Sequence, residues 1–231
     1  MENLVSREEW IEARKSLLAR EKAFTRDRDA LSRARREMPM VRVDDAYAFD
    51  TETGETSLAG LFGGRRQLVV YHFMFGPDWE EGCPSCSFWA DNFDGIDVHL
   101  SARDTAFCAV SNAPLEKLIE YRQRMGWSFR WVSSRDGSFS RDFAVTFPGK
   151  SDPTGRGYNY SGKVFGEEMP GLSAFLRLKD GGIGHAYSTY ARGLDIINGA
   201  YNILDLTPLG RQEEGQEYTM AWLRRRDRYD G

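Results

Sequence analysis

Cysteine and histidine are scarce in this chain of 231 residues, which has three of each. The net charge is −4, from 31 basic and 35 acidic residues, so no excess of positive charge indicates binding to nucleic acid or to an anionic membrane surface. No apolar run approaches the ~20 residues that a transmembrane helix needs. The N-terminal residues lack the charged and then apolar pattern of a secretory signal peptide. We therefore expect a cytoplasmic protein that binds neither nucleic acid nor membrane and keeps its cysteines reduced at rest.

Two of the three cysteines stand close together in the segment Cys83-Pro84-Ser85-Cys86. A short loop separates this segment from an apolar run over residues 68–75 that is rich in β-forming residues. Pro84 favours the first position of a helix, because no N–H is needed there. A strand, a loop and a Cys-x-x-Cys at a helix start is the order in which thioredoxin-like folds present a redox dithiol. Free N–H groups at a helix start stabilise a thiolate, so we expect Cys83 to attack and Cys86 to resolve the mixed disulfide.

The cysteine pair also fits two other interpretations. In the first, Cys83 and Cys86 bind copper or zinc together with His72 and His185. In the second, the protein is a non-catalytic binding module that uses its aromatic residues 139–165 as a recognition surface. The redox interpretation is preferred, because the second pair of ligands that a structural zinc site needs is missing. The remaining cysteine, Cys108, lies within an apolar strand and is expected in the core.

Residues 6–38 are expected to form a helical arm. Ser6 and Glu9 make a capping box, and Pro39 ends the segment. Large apolar residues recur at seven-residue intervals along the arm, at Trp10, Leu17, Phe24, Leu31 and Met38. Such a stripe is expected to pack against the body of the protein or against a second copy, since an isolated helix of this length is only marginally stable in water. We expect a homodimer in which the arm contributes to the interface.

Beyond residue 41 the pattern alternates between strands and helices. The predicted elements are strands at 68–75, 105–110 and 128–132, helices at 86–101 and 114–125, a hairpin of strands at 172–178 and 184–190, and a helix at 194–204. Parallel strands joined by helices, followed by an antiparallel hairpin and a helix, form the thioredoxin order of an α/β protein. Residues 136–171 are predicted to be an insertion before the hairpin. The predicted domains are an arm at 1–40 and a thioredoxin-like domain at 41–231.

Six segments together resemble a bacterial family of thioredoxin-like proteins that has no assigned activity. They are EWIEARK (9–15), YHFMFG (71–76), GCPSCS (82–87), RMGW (124–127), YSTYARG (187–193) and LDLTPLGR (204–211). The resemblance covers nearly the whole chain, and residues 47–64 also resemble the front end of peroxiredoxin-like proteins. It implies a thioredoxin-like three-layer fold, with a mixed central sheet flanked by helices.

Three departures from better-known relatives bear on the reaction. Thioredoxins place a tryptophan directly before the first cysteine, where this chain has Gly82, and Trp79 lies further upstream. Peroxiredoxins need a hydroxyl residue three positions before their reactive cysteine, where this chain has Glu80, which argues against peroxide reduction. Thioredoxins begin the strand that faces the dithiol with a cis-proline. Pro170 comes about three residues too early for that role, so Ser173 is expected at this position.

We therefore predict a thiol–disulfide oxidoreductase that acts on a small-molecule thiol or disulfide, or on a protein redox partner, without a bound cofactor. Its predicted catalytic residues are Cys83 and Cys86. Four further residues are predicted to flank the dithiol or to contact substrate: His72, Trp79, Ser173 and His185.

Overall fold

The computed structural model describes residues 3–44, 46–134 and 137–229. The ends of the predicted segments at residues 1, 136 and 231 lie outside these ranges. The chain divides into two compact units, Met1–Met40 and Val41–Gly231.

The first unit is the helix α1, Arg7–Glu37. The predicted capping box is confirmed: Ser6 Oγ accepts a hydrogen bond from the N–H of Glu9 at 3.2 Å, and Glu9 Oε2 accepts one from the N–H of Ser6 at 2.9 Å. None of the residues of α1 is buried, so the helix does not cover its own apolar stripe. The homodimer stays a prediction. In the described part of the chain, no helix combines the length and the apolar character needed to cross a membrane.

The second unit consists of short strands and helices. Its strands are β1 (Val41–Val43), β2 (Ala48–Thr51), β3 (Gly54–Ser57), β4 (Gln67–His72), β5 (Thr105–Ser111), β6 (Trp131–Ser133), β7 (Gly171–Arg177) and β8 (Ile183–Tyr190). Its helices are α2 (Leu58–Leu61), α3 (Pro84–Ala90), α4 (Ile96–Ser101), α5 (Leu115–Met125), α6 (Ser138–Asp142) and α7 (Gly199–Leu204). Its 3-10 helices are Pro148–Lys150, Tyr158–Tyr160, Ala191–Ile197 and Arg226–Arg228.

All the described strands form one mixed sheet, in the order β1-β8-β7-β4-β5-β6-β2-β3. Strand β4 lies at its centre, parallel to β5 and antiparallel to β7, with Val70 opposite Cys108 on one side and opposite Ser173 on the other. Strand β8 completes an antiparallel hairpin with β7. The order β8-β7-β4-β5, with one parallel pair and an antiparallel hairpin, is the thioredoxin-like arrangement, so the predicted fold class is confirmed.

The two faces of the sheet carry separate cores. Because side chains alternate along a strand, Tyr71 of β4 points to one face while Val70 and His72 point to the other. The core around Tyr71 includes both cysteines of the dithiol and the aromatic residues Phe73, Phe75, Trp89, Phe93, Tyr121, Trp127, Phe129, Trp131 and Tyr201. The core on the opposite face includes Leu68, Val70, Phe139, Phe143 and Phe175. Cys108 belongs to this second core and is fully buried, as predicted.

Two predicted helices are each broken in the structure. The helix predicted at 86–101 is divided into α3 and α4, because Gly95 adopts φ +80° and Asn92 turns its side-chain amide onto the carbonyl oxygens of Phe88 and Trp89. The helix predicted at 194–204 is a 3-10 turn followed by α7. Asn198 separates the two, and its side chain accepts a hydrogen bond from the N–H of Tyr201.

The predicted insertion packs on the sheet rather than leaving it. Helix α6 supplies Phe139 to the core beneath Val70. Further along, Val145, Phe147 and Tyr158 form a small core of their own with Tyr190 of β8.

Candidate functional site

The cysteine pair lies at the start of α3, at the end of the central strand. Cys83 caps the helix and Pro84 is its first residue, as predicted. The N–H of Cys83 donates to the carbonyl oxygen of Met74 at 3.1 Å, and the N–H of Met74 donates to Sγ of Cys86 at 3.4 Å. Both cysteines are buried free thiols. The strand end and the helix start therefore hold the dithiol from both sides.

The two thiols differ in acidity. The pKa of Cys83 is lowered to about 7, chiefly because the Cys86 thiol donates a hydrogen bond to its sulfur. Burial opposes this effect, and the N–H groups of Cys86 and Ser85 reinforce it. The pKa of Cys86 is raised well above its ordinary value, first by burial and then by the adjacent Cys83 sulfur. Near neutral pH the charge therefore belongs to Cys83 and the proton to Cys86.

A hydrogen-bonded chain of side chains fixes the backbone at Cys83. Ser87 Oγ donates to the carbonyl oxygen of Cys83 at 2.8 Å and lies 3.0 Å from Tyr121 Oη. The guanidinium of Arg225 donates to Tyr121 Oη at 2.8 Å and to the carbonyl oxygen of Gly82 at 2.7 Å. Arg225 comes from the C-terminal tail, 142 positions after Cys83. No sequence signal distinguishes it from the other basic residues of that tail.

The position before the first cysteine has no room for a side chain. A Cβ at Gly82 would lie 2.8 Å from Phe73 Cε1 and 2.9 Å from Tyr121 Cε1, and both rings are buried. These rings fill the space beside Gly82, so the tryptophan that thioredoxins carry directly before the first cysteine has no place in this chain.

An apolar cavity of about 240 Å³ adjoins the dithiol, with Cys86 in its wall. Pro170, the residue directly before β7, also lines it. The expectation that Ser173 faces the dithiol is therefore corrected in favour of Pro170. Ser173 lies two residues inside the strand, and its side chain points to the opposite face.

His72 and His185 also lie across the sheet from the dithiol. His72 stacks on Phe139, and its Nε2 is 2.8 Å from Ser173 Oγ. Ser173 Oγ is 2.8 Å from Ser188 Oγ, which in turn is 2.7 Å from His185 Nε2. The placement of His72, Ser173 and His185 beside the dithiol is thus corrected, because alternation along the strands turns them to the other face. The structure brings these three together with Ser188, which the sequence analysis missed.

Trp79 lies on the loop before the dithiol, and its surroundings are polar. It lines a cavity of about 380 Å³ together with Asn112 and Glu168. Glu168 accepts hydrogen bonds from Asn112 Nδ2 at 2.8 Å and from Thr146 Oγ1 at 3.2 Å, and burial raises its pKa to about 7. Trp79 does not line the apolar cavity beside Cys86.

The predicted metal ligands are not assembled. His72 and His185 lie on the opposite face of the sheet from Cys83 and Cys86. Over residues 3–44, 46–134 and 137–229, no group of three or more His, Cys, Asp or Glu side chains could hold a metal ion.

Buried His72 is held in its neutral form. Burial lowers its pKa to about 3, with a smaller contribution from His185. Three hydrogen bonds join the four groups from His72 to His185, and the two serine hydroxyls supply two of the three protons. One histidine Nε2–H must supply the third. His72 Nδ1 has no partner among the described residues. If His72 carries its proton on Nε2, that proton is hydrogen-bonded to Ser173, and the unpaired Nδ1 is a buried acceptor and not a buried donor.

Fold and site define a thioredoxin-like α/β protein with a buried Cys-x-x-Cys dithiol. The chain belongs to the family described as "Bacterial protein of unknown function (DUF899)", which it matches over residues 1–229. The predicted membership of a thioredoxin-like bacterial family without an assigned activity is therefore confirmed. No curated protein matches the chain significantly.

The solved structures that resemble this protein include several peroxiredoxins. A peroxidoxin BcpB from Mycobacterium tuberculosis is 14% identical, with a TM-score of 0.46, over 69% of this chain and 96% of that one. A peroxiredoxin Q from Xanthomonas campestris is 14% identical, with a TM-score of 0.48, over 72% of this chain and 98% of that one. A mitochondrial 2-Cys peroxiredoxin from Plasmodium falciparum is 11% identical, with a TM-score of 0.41, over 71% and 92%.

The packing around Gly82 predicts the effect of adding one methyl group. Gly82→Ala forces two buried rings to move, so we expect a loss of about 1–3 kcal/mol in the free energy of unfolding. Gly166→Ala is the matched control, because its Cβ would meet ordinary contacts at 3.4 Å and 3.5 Å. Urea denaturation of both variants measures the difference. Equal stability of the two variants would contradict the tight packing described at Gly82.

The neutral state of His72 predicts a loss of stability in acid. The unfolded chain binds a proton near pH 6.5, whereas folded His72 resists protonation down to about pH 3, so stability falls as the pH drops below 6.5. Between pH 7.5 and 5.0 this residue contributes a loss of roughly 2 kcal/mol. Glu168, whose pKa is raised, acts in the opposite direction over part of this range.

Comparison with a variant isolates the contribution of His72. His72→Gln is expected to lose roughly 2 kcal/mol less than the parent protein between pH 7.5 and 5.0, because the variant has no buried imidazole that must stay neutral. Urea denaturation at the two pH values measures the stability of both proteins. Parallel pH curves for His72→Gln and the parent protein would show that His72 is not buried in its neutral form.

Proposed function

We propose that the protein is a thiol–disulfide oxidoreductase in which Cys83 is the attacking nucleophile and Cys86 the resolving thiol. The observation that carries the proposal is the placement of Cys83 at the start of α3 with Cys86 one helical turn further on. In this arrangement the pKa of Cys83 is lowered and that of Cys86 is raised. A thiolate attacks disulfides and a thiol does not, and nucleophilicity is best when the pKa is close to the ambient pH. The lowered pKa of Cys83, about 7, meets that condition.

The reaction balances with two thiols and one disulfide. The Cys83 thiolate attacks one sulfur of a substrate R–S–S–R, whose S–S bond breaks, and the departing R–S⁻ takes up a proton. Cys86 then loses its proton and attacks the Cys83 sulfur, which releases the second R–S⁻. The dithiol is oxidised to the Cys83–Cys86 disulfide, and the substrate is reduced to two R–SH.

The proximity of the two cysteines favours the second step. Cys86 follows Cys83 by one helical turn, and the Cys86 thiol already donates a hydrogen bond to the Cys83 sulfur. A mixed disulfide at Cys83 would therefore form within reach of Cys86. The anchoring of Cys83 through Ser87, and of Gly82 through Arg225, supports a rigid backbone at the attacking residue.

A redox titration tests the proposal. The protein is equilibrated with dithiothreitol and glutathione buffers between about −300 and −180 mV and then alkylated, and the thiols are counted by mass spectrometry. We expect Cys83 and Cys86 to lose their labels together at one midpoint, because they form one disulfide. Cys108 lies on the opposite face of the sheet and is expected to stay reduced at every potential.

Matched variants sharpen the result. Cys108→Ser is expected to keep the midpoint of the parent protein, whereas Cys83→Ser and Cys86→Ser form no intramolecular disulfide. A parent protein whose Cys83 and Cys86 stay reduced at every potential in this range refutes the proposal.

A further inference from the structure

The apolar cavity beside Cys86 narrows the substrate class. We infer that the dithiol acts on a low-molecular-weight disulfide with a ring-sized apolar substituent, which occupies this cavity. This inference rests on the proposed function and chooses between the two substrate classes that the sequence left open, small molecules and proteins.

The walls of the cavity favour an uncharged, apolar group. Its apolar lining includes Tyr71, Trp89, Pro170, Leu194, Tyr201 and Met220. The two arginines that also line it, Arg192 and Arg211, are balanced by Asp195 in the wall and by Asp205 outside it. Asp195 binds Arg192 at 2.7 Å and Arg211 at 3.0 Å, and Arg211 binds Asp205 at 2.7 Å. No charge is left for a ligand to match.

The size of the cavity fits one ring. Its volume of about 240 Å³ exceeds the ~150 Å³ of a cavity that binds benzene and lies below the ~300–1,000 Å³ typical of pockets for larger ligands. One wall, formed by Thr219 and Met220, is held in place by Glu213. The Glu213 carboxylate accepts hydrogen bonds from the N–H of Met220 at 3.0 Å and from Tyr201 Oη at 2.7 Å.

Tyr71 lies at the dithiol end of the cavity. It is fully buried and lines the cavity together with Cys86. Burial raises the pKa of Tyr71, and the hydrogen bond that its hydroxyl shares with the Cys86 thiol raises this pKa further and opposes the upward shift of the Cys86 pKa. The apolar wall is thus directly joined to the thiol that resolves the mixed disulfide, so a substituent held by that wall lies beside the dithiol.

The redox step follows the same balance as the proposed reaction. Cys83 and Cys86 lose two protons and become a disulfide, and the small disulfide is reduced to two molecules of the apolar thiol. A single turnover of the reduced protein needs no further reductant, so the choice of substrate can be measured by itself.

Rates of oxidation by two disulfides test the inference. Reduced Cys108→Ser protein is mixed with micromolar dibenzyl disulfide or bis(2-hydroxyethyl) disulfide, and formation of the Cys83–Cys86 disulfide is followed by acid quench, alkylation and mass spectrometry. Each rate constant is divided by that of the same disulfide with dithiothreitol, which removes differences in intrinsic reactivity. Because each buried methylene contributes about fourfold, we expect a normalised preference of at least tenfold for dibenzyl disulfide.

Two variants locate the preference. Thr219 is exposed at the wall of the cavity, and Thr219→Trp is expected to reduce the preference at least fivefold by obstructing it. Thr53→Trp, at an exposed turn between β2 and β3, is the matched control and keeps the preference.

The outcomes separate this inference from the proposed function. If neither disulfide produces the Cys83–Cys86 bond, the proposed function itself fails. If both oxidise the dithiol at equal normalised rates, or if Thr219→Trp reacts as the parent protein does, the cavity is not the substrate site, while the proposed oxidoreductase function still holds. Faster reaction with an unfolded protein disulfide than with dibenzyl disulfide would assign the dithiol to protein substrates instead.

Discussion

The hydrogen bond from the Cys86 thiol to the Cys83 sulfur is the interaction on which the chemistry of this site depends. Both cysteines are buried, and burial by itself would raise both pKa values. The hydrogen bond that the Cys86 thiol donates lowers the pKa of Cys83 in spite of burial, and the N–H groups of Ser85 and Cys86 lower this pKa further. The same proximity keeps the proton on Cys86. In the proposed reaction, Cys83 attacks as the thiolate and Cys86 keeps its proton until the later step.

This arrangement is maintained by residues far away in the sequence. Tyr121 of α5 and Arg225 of the C-terminal tail hold Gly82 and Ser87 on either side of Cys83. The rings of Phe73 and Tyr121 fill the space beside Gly82. The site thus differs from a bare Cys-x-x-Cys loop, because the C-terminal segment both anchors the backbone at the first cysteine and forms one wall of the cavity beside the second.

Local patterns in the sequence were sufficient for the fold. The apolar run before Cys83, the proline after it and the Asp180-Gly181 turn each act over a few residues, and together they predicted the central strand, the helix start and the hairpin. The breaks near Asn92 and at Asn198 were not predicted. The apolar spacing around these residues is typical of a continuous helix, whereas their side chains form hydrogen bonds with the backbone that interrupt it.

The surroundings of the dithiol could be predicted only in part. Counting back from the hairpin placed Ser173 beside the cysteines, but a strand turns alternate residues to opposite faces. Strand β7 starts at Gly171, two residues before Ser173. The residue that precedes the strand, Pro170, therefore lies near Cys86 in the place expected for Ser173. The hydrogen-bonded chain from His72 to His185 joins three strands, and the Arg225 anchor joins positions more than a hundred residues apart. Contacts of that range leave no periodic signal in a single sequence.

The acidity of the two thiols is the most direct measure of the asymmetry at the centre of this site. Thiolate absorbance of the reduced Cys108→Ser protein can be followed against pH, and limited alkylation with mass spectrometry identifies which thiol ionises first. The asymmetric dithiol predicts that Cys83 ionises first, with a midpoint near pH 7, and that Cys86→Ala shifts this midpoint upward because the hydrogen-bond donor is lost. First ionisation at Cys86, or a Cys83 midpoint that Cys86→Ala leaves unchanged, would contradict it.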